Sequence, residues 1–266
     1  MPKTKTTELH YFSFSSDVLI KSCPLPKEMI HSINAKTHTL TIEAVQALSL
    51  SEYLKKTKKH MPYHDVEKMI HMIGKQLQRM ETMDKGIASF NLDDISVFYT
   101  HPPRVTSSAS RGASNTDTDT DGSASSDSDS DDTDDDATVI HFALTNDDKV
   151  CDFDDAEQQH LKITTPYKPE YTSSSYKPGN NNKAFISPEF KDFISKKTLP
   201  YSIHFKSGYY SFGLLCAYCF VSKTAVAPAT NAATDAALAP IIHTKIYWFL
   251  KRVLDENPTA RRYISS

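Results

Sequence analysis

Residues 65–98 read DVEKMIHMIGKQLQRMETMDKGIASFNLDDISVF, and their pattern decides the architecture. Val66, Met69, Ile70, Ile73, Leu77 and Met80 recur mainly at spacings of three and four, one apolar stripe along an amphipathic helix. Asp65 stands where an N-cap carboxylate would accept the first unpaired amides. Beyond the helix the periodicity breaks. Ile95–Tyr99 reads as a short strand.

Further elements flank this stretch. His38–Val45 alternates as a strand does, and Val139–Leu144 and Lys149–Phe153 are strand candidates downstream. Ser211–Val221 is apolar on every side, the pattern of a helix enclosed by other elements. Ile242, Ile246, Phe249, Leu250 and Val253 make a third helical stripe, stopped by Asn257-Pro258.

The chain has 266 residues and a formal charge of −3, but that average hides an imbalance. Residues 104–137 hold ten Asp against Arg104 and Arg111, a net of −8, so the rest of the chain carries +5. With nothing large and apolar from Thr106 to Thr138, this segment is expected to be disordered at a hairpin tip, where length costs little entropy. A second stretch, 222–240, is rich in Ala, Thr and Pro and reads as a flexible insert. A charge this near zero argues against a generally basic nucleic-acid binder. Cys23, Cys151, Cys216 and Cys219 are too few for a disulfide scaffold, which points to a reducing, cytoplasmic setting. The chain opens without an apolar leader run, and the longest apolar stretch, Phe212–Val221, is too short to cross a bilayer.

Taken in order, the pieces resemble a protein kinase catalytic domain with its first part truncated. Thr41-Ile42-Glu43-Ala44-Val45, followed by Leu48–Leu54, looks like the hinge strand and the helix after it. Residues 65–82 look like the long central helix of the C-terminal lobe, and Gly86–Phe98 sits where the family has its catalytic loop. Lys149–Asp154 resembles the strand into Asp-Phe-Gly, and Ala184–Glu189 the Ala-Pro-Glu segment that ends the activation loop. Tyr210-Ser211-Phe212-Gly213 and Leu254–Arg261 resemble the Trp-Ser-x-Gly and Asp-Pro-x-x-Arg motifs. The resemblance covers about 40–262. It implies an α+β, kinase-like fold: 1–45 a remnant N-terminal strand region, 46–266 a mainly helical C-terminal lobe carrying the two inserts. Similar degenerate domains occur in large DNA viruses, which would place the chain in host cytoplasm or the virion.

The positions that carry phosphoryl transfer are altered. The earliest glycine is Gly74, so no glycine-rich loop precedes the hinge. Val18-Leu19-Ile20-Lys21 resembles the strand bearing the nucleotide lysine, yet only 21 residues separate Lys21 from Glu43, too few for the elements that normally intervene. In the catalytic loop Ser89 replaces His, Phe90 replaces Arg and Asn91 replaces the catalytic Asp; an amide cannot accept a proton at neutral pH. Ser96 stands at the metal-binding Asn. Asp152 alone keeps its chemical identity as a metal ligand, with Asp154 and Asp155 beside it. Asp93 and Asp94 read as a solvated turn. The resemblance also implies an ion pair between Glu189 and Arg261.

Other groups read as ordinary structure. Cys216 and Cys219 are small core residues of a buried helix, and His60, His64 and His71 are too scattered for a zinc site. Lys55, Lys56, Lys58 and Lys59 form a solvated helix end that could meet the acidic segment. Ser125, Ser126, Ser128 and Ser130 precede acids and suit an acidophilic kinase. The expectation is a catalytically inactive pseudokinase, a binding or regulatory scaffold with no cofactor, an unnamed protein partner and no membrane contact. The alternatives are a weak or atypical Ser/Thr kinase using ATP and Mg²⁺, and a structural viral protein that kept the fold alone.

Overall fold

The computed structural model describes residues 9–57, 60–100, 139–154, 159–166, 184–196, 198–221 and 231–263. In chain order the first elements are β1 (His10–Ser15), α1 (Asp17–Ser22), β2 (Ile30–Asn34), β3 (Thr39–Ala44), β4 (Gln46–Ser49), α2 (Leu50–Lys56) and α3 (Tyr63–Glu81). There follow β5 (Lys85–Ile87), β6 (Ser89–Asn91), β7 (Ile95–Thr100), β8 (Val139–Leu144), β9 (Val150–Phe153), β10 (His160–Ile163) and β11 (Ala184–Ile186). The rest are α4 (Pro188–Lys196), β12 (Tyr201–His204), α5 (Ser207–Phe220), α6 (Asn231–Leu238) and α7 (Lys245–Val253). The class is α+β, with every described strand pair antiparallel.

Among the described residues, four small sheets are ordered β1-β3-β2, β4-β7-β8, β12-β10-β9-β5 and β11-β6. In the second, β7 and β8 pair from Ile95↔Leu144 to Thr100↔Val139. The acidic segment 104–137 and its serines lie between these strands and outside the described residues.

The stripe of α3 is buried, with Val66, Met69, Ile73 and Met80 fully enclosed. Its start lies two residues before Asp65. That carboxylate sits in the first turn and accepts from Tyr53 Oη at 2.6 Å instead of capping. Helix α5 has no polar face, and side chains all round it are buried. Its first turn is pressed onto β5: a Cβ on Gly208 would lie 2.1 Å from Ile87 O, so this approach requires glycine. Ser211 Oγ donates to Ala88 O at 2.9 Å one turn later, fixing the same stretch. One large core joins α3, α5 and α7 to the first two sheets. A smaller cluster of Ala88, Leu161, Ile163, Phe190, Phe193 and Ile203 packs beneath α4.

Two expectations are corrected. Val18–Lys21 is helical, not a strand. Ser16 accepts the Leu19 amide at 3.3 Å, Asp17 lies in the first turn, and Lys21 pairs with it one turn on. Within 222–240, residues 231–238 form α6, with Thr234 and Leu238 buried. The alanines that suggested a linker are the strongest helix formers. Residues 222–230 lie outside the described set.

Candidate functional site

A buried polar cluster forms where the turn Leu92–Asp94 enters β7 and where the chain leaves β8. Asp94 is 3 % exposed. Its Oδ2 accepts from the Asn91 amide (2.6 Å) and from Lys149 Nζ (2.6 Å), and its Oδ1 from Asn146 Nδ2 (3.0 Å). With Asn91 Nδ2 facing Phe90 O (3.1 Å), its Oδ1 accepts from the same Lys149 ammonium at 3.0 Å. Ser96 Oγ and Thr145 Oγ1 share a hydrogen at 2.8 Å, and the Thr145 amide donates to Asp94 O at 3.0 Å. The next carboxylate, Asp93, accepts from Ser51 Oγ at the start of α2. Charge and hydrogen bonds thus replace water on both oxygens of this buried carboxylate.

The flanking strand gives the cluster its wall. Phe90 is fully enclosed, its ring 5.6 Å from that of Phe212 on α5, and it stands opposite Phe185 in the β6–β11 pair. Ser89 is 2 % exposed and opposite Ile186. The stretch that resembles a catalytic loop is thus strand followed by a single turn, with Ser89, Phe90 and Asn91 all buried.

The other candidate residues lie elsewhere. Asp152 is on β9, directly across from Lys85, and forms an ion pair with it at the surface. Asp154 accepts from Ser202 Oγ at 2.7 Å, and Asp155 lies outside the described residues. Among the described residues no group of three His, Cys, Asp or Glu side chains is arranged to hold a metal ion. Lys21 is bound by Asp17 at 2.6 Å on the exposed side of α1.

Glu189 and Arg261 meet. Arg261 is 0 % exposed; its Nη1 reaches Glu189 Oε1, and Nη2 reaches Oε2 at 3.1 Å. Nε donates to Asp255 O (2.8 Å), Nη2 to Glu256 O (3.3 Å) and Nη1 to Lys206 O (3.4 Å), while the guanidinium carbon lies 4.6 Å from the Tyr210 ring centre. Cys216 and Cys219 are fully buried in α5, and burial holds both thiols far above their ordinary range, in the un-ionised form. His71 and His64 line a groove between α3 and α7.

Sequence reasoning missed the roles of Asp94, Asn146 and Lys149. The signal present was the polar run Thr145-Asn146-Asp147-Asp148-Lys149 directly after the apolar Phe142-Ala143-Leu144, following an acidic turn earlier in the chain. No family model matches the chain, and no curated protein does so either. Among the described residues, no helix is long and apolar enough to cross a membrane.

Proposed function

We propose that the chain is a degenerate protein-kinase-like domain that has lost phosphoryl transfer and acts as a protein-binding or regulatory scaffold. The observation that carries this reading is the state of the stretch resembling a catalytic loop. Asn91 stands at the base position. The neighbouring carboxylate, Asp94, is turned inward, both its oxygens already held by the Asn91 amide, Asn146 and Lys149. Phe90, in place of a cation, is sealed against Phe212. The order of elements supports the kinase-like part: a long helix, short strands, a hairpin, a buried helix, and the Glu189–Arg261 pair joining α4 to the C-terminal turn.

Catalysis of this kind rests on positioned charge, and removing one such contact costs about 10²–10³ in rate. The decisive experiment is a thermal-shift titration with ATP and Mg²⁺ or Mn²⁺, followed by incubation with labelled ATP. The scaffold reading expects no shift and no transfer. Label on the chain itself or on a generic substrate, abolished by Asp152→Ala, would replace it with the weak-kinase reading.

A further inference from the structure

Between α3 and α7 lies a groove of about 630 Å³, floored by Ile246 and Phe249. Its rim carries Lys68, Lys245 and Arg252, with His64 and His71 between them. Among the described residues, Glu67 is the one acid in its lining. It accepts from Tyr63 Oη at 3.1 Å and lies 4.0 Å from Lys245 Nζ, so the rim keeps a net positive charge. Trp248 also lines the groove and is 53 % exposed, unusual for so large an apolar group. The groove is therefore cationic at its edge and aromatic within, the chemistry that receives an acidic peptide.

The fold also brings a source of such a peptide to this place. Strand β8 runs along α3 with a regular stagger. The Leu144 amide donates to Gln76 Oε1 (2.8 Å), and the Phe142 amide to Met72 Sδ one turn earlier (3.4 Å). Carried two residues further, the same stagger sets Ile140 against Lys68, and the neighbouring His141 is held down by burial first and by the Lys68 ammonium second. The start of β8 thus leaves the fold beside a rim residue of the groove. Asp134, Asp135 and Asp136 precede Val139 by five residues or fewer, a reach of about 17 Å at roughly 3.4 Å per residue.

We propose that the acidic segment 104–137 docks in cis on the groove between α3 and α7, as this chain's own acidic ligand. A covalent tether of this kind holds the segment at an effective concentration on the order of millimolar, so even weak attraction fills the site. Each phosphate added at Ser125, Ser126, Ser128 or Ser130 brings close to two further negative charges and tightens the docking. A competing acidic partner must displace the segment, which makes the segment a regulator of the groove. None of this depends on the kinase-like reading.

Trp248 is the chain's single tryptophan and reports on the groove directly. Acrylamide quenching of its emission is compared between the full chain and a variant with the ten Asp of 117–136 changed to Asn, which leaves every described residue untouched. The wild-type chain is expected to be less quenched at low salt. That difference should vanish as screening shortens from roughly 30 Å at 0.01 M to about 3 Å at 1 M salt. Lys68→Glu with Lys245→Glu and Arg252→Glu should abolish protection, and Lys55→Glu with Lys56→Glu should not. A synthetic 117–136 peptide should protect Trp248 in the Asp→Asn variant and leave the wild-type chain unchanged. Equal quenching of wild type and the Asp→Asn variant at low salt overturns the proposal. So does protection that grows with protein concentration, which would mean a second copy in trans, or protection lost with Lys55 and Lys56 instead of the rim.

Discussion

Removing the carboxylate from the Glu189–Arg261 pair is expected to destabilise the chain by about 3 kcal/mol, at the lower end of the roughly 3–5 kcal/mol for breaking a buried pair. The structure sets this value. In Glu189→Ala the guanidinium stays wholly buried with three carbonyl partners and no counter-charge. The Glu189 side chain is 21 % exposed, so water can reach the space it vacates, which moderates the loss. Arg261→Ala fails for a different reason. Glu189 can recover hydration, but the carbonyls of Asp255, Glu256 and Lys206 lose their donor, at about 1 kcal/mol each. The two single variants therefore match in size, at about 3 kcal/mol, and each should lower Tm by roughly 6–12 °C for a chain of this length. Because each variant removes the same pair, the double variant should fall short of their sum by about 1–3 kcal/mol. Arg261→Lys keeps the charge but not the fork that serves Glu189 and the carbonyls together, and should fall between wild type and Ala. Urea unfolding followed by circular dichroism and by Trp248 emission measures all four, with coincident transitions validating the free energies. Single losses below about 1 kcal/mol that simply add would show that the pair does not tie the C-terminal turn to α4, and the kinase-like reading would lose its most specific support.

A Cβ on Gly74 would lie 1.7 Å from Tyr263 Oη, so Gly74→Ala should destabilise alone. In a Tyr263→Ala background the same change should gain up to about 1 kcal/mol from helix propensity, as read by urea midpoints. Asp94→Asn leaves the Lys149 ammonium, 18 % exposed, without its counter-charge and should be clearly destabilising, whereas Asp94→Asn with Lys149→Met should recover much of the loss. His204 and His141 are both held down to about 4, mainly by burial, so the unfolded chain binds their protons first. Stability should be fully present above about 6.5 and fall as pH drops toward 4; because the His204 ring accepts the Lys206 amide at 3.2 Å, His204→Asn should flatten that fall. Replacing 106–136 with a short Gly-Ser linker should leave Tm within a few degrees, because β7 and β8 keep their six paired positions; loss of cooperative unfolding would contradict this.

The elements legible in the sequence are those whose order is local. The stripe from Val66 to Met80, the apolar wrap of Phe212–Cys219 and the stripe from Ile246 to Val253 each repeat within one or two turns, and side chains three or four apart must share a face. The short apolar runs at 95–99 and 139–144 are local in the same way, and the structure pairs those two strands. Where short-range signals conflict, the reading failed. Val18-Leu19-Ile20 looks β-rich, but Ser16 and Asp17 start a helix there, and the alanines of 231–238 resemble a linker until Thr234 and Leu238 find a core to enter. The polar cluster lay beyond any such reading. Asp94 reaches Asn146 and Lys149 across 52 and 55 positions, brought together by the β7–β8 register alone. Residue types name the groups able to pair. Their pairing is decided by the antiparallel register, which sets an acidic turn against a lysine while α5 seals Phe90 beside them. The free energy of that choice comes from burial, and burial belongs to the whole fold.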